Sequence, residues 1–121
     1  MKNACLVLLA ALVAVASSQQ RLTVSGNVFK LNNHHVFLSG ANLAWINYAR
    51  DFGNGQWARS KPKIEEQLRL LHQAGGNSMR LWIHIQGETT PKFDNNGYVT
   101  APDNGGTLLD DFKDLLDTAQ K

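Results

Sequence analysis

The chain has 121 residues, 43% of them hydrophobic and 18% charged, with a formal net charge of +2. That length fits at most one domain, the apolar fraction is too high for a disordered chain, and so small a charge is no nucleic-acid footprint. The single cysteine, Cys5, excludes a disulfide framework and any paired-cysteine zinc or redox site.

Residues 1–18 read as a secretory signal peptide, leaving 19–121 as the mature chain. Lys2 supplies the positive start, residues 6–14 are an uncharged apolar run, and Ala16, Ser17 and Ser18 give the small-residue exit. The run is too short to span a membrane. The expected location is therefore outside the cell, with no membrane or nucleic-acid partner. Loss of Cys5 with the leader leaves the mature chain without cysteine.

The mature chain alternates strand and helix signals. Residues 21–24 predict a short strand, Ser25-Gly26-Asn27 a turn, residues 28–31 a second strand and Asn32-Asn33 a second turn. Residues 35–41 are almost continuously apolar, as in a strand buried on both faces. A long loop, 42–59, carries Trp45, Tyr48, Phe52 and Trp57. Loops of that length in compact domains tend to carry function.

A helix is predicted over 60–74. Ser60 would cap it, Pro62 suits its first turn, and Glu65 and Glu66 sit near its positive end. Ile64, Leu68 and Leu71 form its apolar stripe, and Gly75-Gly76 stop it. Residues 77–85 predict another strand. A second long loop, 86–106, has turn signals at Asp94-Asn95-Asn96-Gly97 and Asn104-Gly105-Gly106. A second helix is predicted over 107–120, with Leu108, Leu109, Phe112, Leu115, Leu116 and Ala119 on its apolar face.

Hairpin, strand, helix, strand, helix is the order of an α/β protein with a parallel sheet. Both long loops follow strands and precede helices, the position of active-site loops in (β/α)8 barrels. Two such units cannot close a barrel, which takes eight and about 250 residues. The expected fold is therefore the N-terminal portion of a larger (β/α)8 TIM barrel with an N-terminal β-hairpin.

Several chemistries lack their residues. Asp94 to Gly97 has a calcium-loop flavour, but its glycine is misplaced and position 105 is Gly rather than Glu. His34 and His35 are adjacent and suit a turn better than one metal ion. Arg59, Lys61 and Lys63 read as a solvated helix start. No phosphate-binding glycine loop is spaced correctly. No metal or cofactor is expected.

Segments 36–45 (Val-Phe-Leu-Ser-Gly-Ala-Asn-Leu-Ala-Trp), 51–55 (Asp-Phe-Gly-Asn-Gly), 75–84 (Gly-Gly-Asn-Ser-Met-Arg-Leu-Trp-Ile-His) and 93–100 (Phe-Asp-Asn-Asn-Gly-Tyr-Val-Thr) are a specific set. Together they resemble the start of the secreted β-mannanases of invertebrates in glycoside hydrolase family 5. The resemblance implies endo-hydrolysis of β-1,4 bonds in mannan or glucomannan, with retention, by an acid/base glutamate and a nucleophilic glutamate. It places both after the second helix. The glutamates present are Glu65, Glu66 and Glu88, and none matches a catalytic motif. The partner expected is β-mannan or a related polysaccharide, and the full-length protein is expected to be a monomer.

The resemblance also implies that Arg80 bonds the nucleophile from the second barrel strand. An arginine suits this task because its planar fork binds carboxylate and stays charged. The two-residue strand period puts Trp82 and His84 on the same side. Trp82 could stack on a sugar or pack in the core. His84 could bond a hydroxyl. Asn42 and Trp45, just after the first barrel strand, face the cleft in this fold, and an amide offers hydroxyls both donor and acceptor. Tyr48 and Trp57 are weaker candidates, and Glu88 reads as a solvated charge. Alternatives are a β-1,4-glucanase of the same family or a non-catalytic secreted carbohydrate-binding piece.

Overall fold

The computed structural model describes residues 21–85 and 87–121. The signal-peptide reading of 1–18 lies outside the described residues. The chain divides into two compact units, meeting between Phe37 and Leu38.

In the first unit β1 (Thr23–Ser25), β2 (Val28–Leu31) and β3 (His34–Val36) form an antiparallel sheet in that order. Asn32 and Asn33 both have positive φ, 50° and 63°. That is the backbone of a tight hairpin turn matched to strand twist. The chain therefore returns at once, and Leu31, Lys30 and Phe29 pair with His34, His35 and Val36. This corrects the expected two-strand hairpin, and it makes His34 and His35 strand rather than turn residues. The first strand also starts later than expected, at Thr23.

The second unit is mixed α/β. β4 (Gly40–Leu43) and β5 (Ser78–Leu81) are parallel, with α1 (Trp57–Gln73) between them in sequence. The expected single strand over 35–41 is thus two strands in two units. Nor is it buried on both faces: Phe37 is 85% exposed and Leu38 39%. Among the described residues β4 and β5 pair only with each other, and no barrel closes. Gly40 is required where they meet, because a Cβ there would lie 1.6 Å from the Ser78 carbonyl oxygen. Asn77 locks the strand entries by exchanging bonds with Ser39. Its backbone N–H donates to the Ser39 carbonyl and its Oδ1 accepts from the Ser39 N–H, both at 2.8 Å.

α1 starts before the expected Ser60. Its N-cap is Gln56, which makes no side-chain capping bond. Ser60 is fully buried; its hydroxyl donates to Asp51 Oδ1 and accepts from Asn47 Nδ2, each at 2.9 Å. Tertiary bonds have taken the hydroxyl that looked like a cap. Pro62 consequently lies inside the helix, where it has no N–H for the Ala58 carbonyl. The helix stops as expected. Gly75 takes φ +83°, its N–H reaches the His72 carbonyl, and Gly76 N–H reaches that of Leu71. This double closure is a Schellman cap.

α2 (Leu108–Ala119) carries Asp110 and Asp111 in its first turn, where negative charge suits the helix dipole. Its inward stripe is Leu108, Asp111 and Leu115. Leu109 and Leu116, expected on the apolar face, are 60% and 67% exposed. They lie off the stripe that meets α1. The core joins Phe52, Trp57, Ile64, Leu108 and Leu115, with Leu43, Ile46, Leu68, Leu81, Ile83 and Phe112 packed around it.

β6 (Lys92–Phe93) and β7 (Val99–Ala101) form a small antiparallel hairpin. At its tip Asp94 Oδ1 accepts from the N–H groups of Asn96 and Tyr98, both at 2.9 Å. The carboxylate organises its own turn.

Candidate functional site

Leu43, Leu81 and Ile83 pack against the core under the helices. By the alternation of strand side chains, Asn42, Arg80 and Trp82 stand on the opposite face. Asn42 and Arg80 are direct register partners, and a further bond from Trp82 N–H to the Leu43 carbonyl carries the pairing one step on.

These side chains meet. Asn42 Oδ1 accepts from Arg80 Nη1 at 3.1 Å and from Trp82 Nε1 at 2.9 Å. The Arg80 guanidinium carbon lies 5.3 Å from the Trp82 ring centroid, within cation–π range. Trp45 packs at right angles to Trp82, centroids 4.9 Å apart, and Tyr48 packs on Trp45 at 5.0 Å. Trp45 Nε1 is buried with no acceptor among the described residues. The result is one face bearing a fixed cation, two indoles, a phenol and an amide. Arg80 keeps further N–H donors for an anion, and the rings offer flat apolar surfaces.

His84 follows on the same strand line, but its bond is to the next loop. Its Nδ1 lies 2.8 Å from the hydroxyl of Thr90, a fully buried residue. Nε2 makes no hydrogen bond among the described residues. The structure therefore brings Asn42, Trp45, Arg80 and Trp82 into contact and adds Tyr48, while His84 is anchored separately. Trp57 does not belong to this face. It is buried in α1, stacked on Phe52 at 5.0 Å, and its Nε1 donates to Asp114 Oδ2 at 2.6 Å. Lys61 reaches the same carboxylate at 2.7 Å, and these two bonds, that of Lys61 first, hold Asp114 below its ordinary pKa. Glu88 is exposed in its loop.

The loop 44–56 is held by carboxylates whose role the sequence did not show. Buried Asp51 accepts from the N–H groups of Ile46 (2.8 Å) and Asn47 (3.0 Å), from Asn47 Nδ2 (2.8 Å) and from Ser60. Asp103 Oδ2 accepts from the N–H groups of Asn54 (2.6 Å) and Thr107 (3.1 Å). Asp111 Oδ2 accepts from Gly53 N–H at 2.7 Å. Asn54 Nδ2 donates to the Thr89 carbonyl and Thr89 Oγ1 to that of Ala49. The loop after β4, bearing Trp45 and Tyr48, is thereby tied to the loop after β5, which holds Thr90 and so His84. The sequence marked 51–55 as part of the resemblance and 104–106 as a turn, with no role for the carboxylates of Asp51, Asp103 or Asp111.

The proteins this chain is similar to are enzymes named for hydrolysis of β-1,4-mannosidic bonds. The particular relatives are invertebrate β-mannanases. The chain is 53% identical over 116 residues to a mannan endo-1,4-β-mannosidase of Mytilus edulis, matching 96% of this chain and 31% of that protein. It is 42% identical to one of Cryptopygus antarcticus, over 93% of this chain and 30% of the other. Among solved structures, the β-1,4-mannanase of the sea hare Aplysia kurodai superposes with TM-score 0.77 at 64% identity, over 82% of this chain and 28% of that one. No family model matches the chain. The chain spans about 30% of the length of the curated relatives it matches.

Proposed function

We propose that the chain forms part of a secreted endo-β-1,4-mannanase of glycoside hydrolase family 5, built on a (β/α)8 barrel. The observation that carries this is the coincidence of close mannanase likeness with an arginine–aromatic cluster on the strand face away from the helices. Among the described residues the outer edges of β4 and β5 have no strand partner, which supports further strands joining the sheet.

Retaining hydrolysis needs two carboxyl groups about 5–5.5 Å apart, one ionised and one protonated. Glu65 and Glu66 lie beside Lys61 and Arg69 on α1, at 4.0 and 2.6 Å, and are spoken for there. Both catalytic carboxyls would come from later strands. Arg80 would hold the nucleophile ionised, since a neighbouring cation favours the charged form. Trp45, Tyr48 and Trp82 would stack on pyranose rings, and His84 Nε2 would meet a hydroxyl. No cofactor takes part; the partner is β-mannan.

The transcript past the codon for Lys121 tests this reading. It should continue through further βα units with an Asn-Glu pair and a later glutamate at a strand end. A stop codon directly after Lys121 would contradict it.

A further inference from the structure

We propose that Asn42 is a positioning residue, whose side-chain oxygen fixes the guanidinium of Arg80 and the indole of Trp82 rather than binding substrate itself. The proposal rests on the mannanase reading above and changes the part assigned to Asn42 within it.

The acceptor capacity of Asn42 is committed. An amide oxygen has two lone pairs, and Oδ1 already receives Arg80 Nη1 at 3.1 Å and Trp82 Nε1 at 2.9 Å. Guanidinium and indole N–H groups only donate, so the amide nitrogen cannot face them and the orientation of Asn42 is set. Nothing is left on that oxygen for a sugar hydroxyl.

Backbone geometry places the oxygen. Asn42 and Arg80 are register partners on strands held close at Gly40. Arg80 also rests 5.3 Å from the Trp82 ring centroid, so the two groups bound to the oxygen touch each other. A long, flexible side chain is thus held from two sides. Its remaining N–H donors are kept for a carboxylate.

The test uses the full-length enzyme on β-1,4-mannan. Asn42→Leu keeps the size and removes the acceptor. It should lower kcat on the order of 100-fold, with any rise in KM from the released Trp82 smaller than the fall in kcat. The acid limb of kcat/KM should move to higher pH, because the nucleophile loses its cation. A purely structural role would lower the active fraction and leave that limb in place. Asn42→Asp keeps the acceptor and adds charge on Arg80. It should retain most of kcat yet also move the limb up, and it keeps the test open should Asn42→Leu not fold. A raised KM with unchanged kcat, or an unmoved limb in both variants, would overturn the proposal.

An unsubstituted enzyme that folds but leaves mannan intact would refute the mannanase reading instead. The hold on Trp82 is then judged by the NMR resonance of its Nε1–H. A shift in Asn42→Leu supports the positioning role, and an unchanged signal overturns it.

Discussion

Asp103 is a buried carboxylate held by backbone N–H donors. Burial pushes it up, but N–H donors of Asn54, Thr107, Leu108 and Gly106 outweigh that and keep it below its ordinary value of 3.8. A lowered folded-state pKa contributes stability that is complete above the unfolded value and is lost as pH falls through the folded one. Asp103→Asn should therefore lower the Tm at about pH 6, with the gap to the unsubstituted protein closing toward about pH 2. A gap independent of pH would show that Asp103 acts by shape alone. Such roles were not legible in the sequence, since Asp111 and the Gly53 N–H it receives are 58 positions apart. That Arg80 and Trp82 share a side was legible from strand alternation, whereas Asn42 joins them only through the β4–β5 register, which the sequence does not show. Trp57 was misplaced because nothing local distinguishes a loop indole from one opening a helix.

At the scale of elements, the parallel pair β4–β5 was legible from the strand–helix–strand order, and the end of α1 from Gly75-Gly76. The start of α1 was not, because the serine that resembles a cap serves Asp51 instead. The close approach at Gly40 gives this scale its test. A methyl at that position meets the Ser78 carbonyl carbon as well as its oxygen, which no rotamer change relieves. Gly40→Ala should push the strands apart, lower stability by about 1–3 kcal/mol as overpacking does, and weaken the Asn42–Arg80 contact. Thermal unfolding together with mannan turnover would check this. Unchanged values for both would mean the strands tolerate wider spacing.

At the scale of the whole molecule, the described residues leave apolar surface uncovered. A groove between α1, α2 and β5 is lined by Leu68, Leu71, Met79, Leu115 and Leu116. Apolar surface of this kind marks a contact, and the α/β layering requires both sheet faces and edges to be covered. The sea hare structure superposes on 82% of this chain, which spans 28% of it. The split at Phe37–Leu38 was not legible, since an apolar run gives no sign that its two ends pair with different sheets.

The central claim is that Arg80 stands in a mannan-hydrolysing site. The measurement that tests it most directly is chain shortening of β-1,4-mannan by the full-length product, unsubstituted and as Arg80→Lys. A lysine keeps the charge but loses the fork that binds carboxylate. The expected result is internal cleavage of mannan by the unsubstituted enzyme, with kcat/KM reduced on the order of 100-fold in Arg80→Lys. Intact mannan with a folded unsubstituted enzyme, or an Arg80→Lys enzyme as active as its parent, would contradict it.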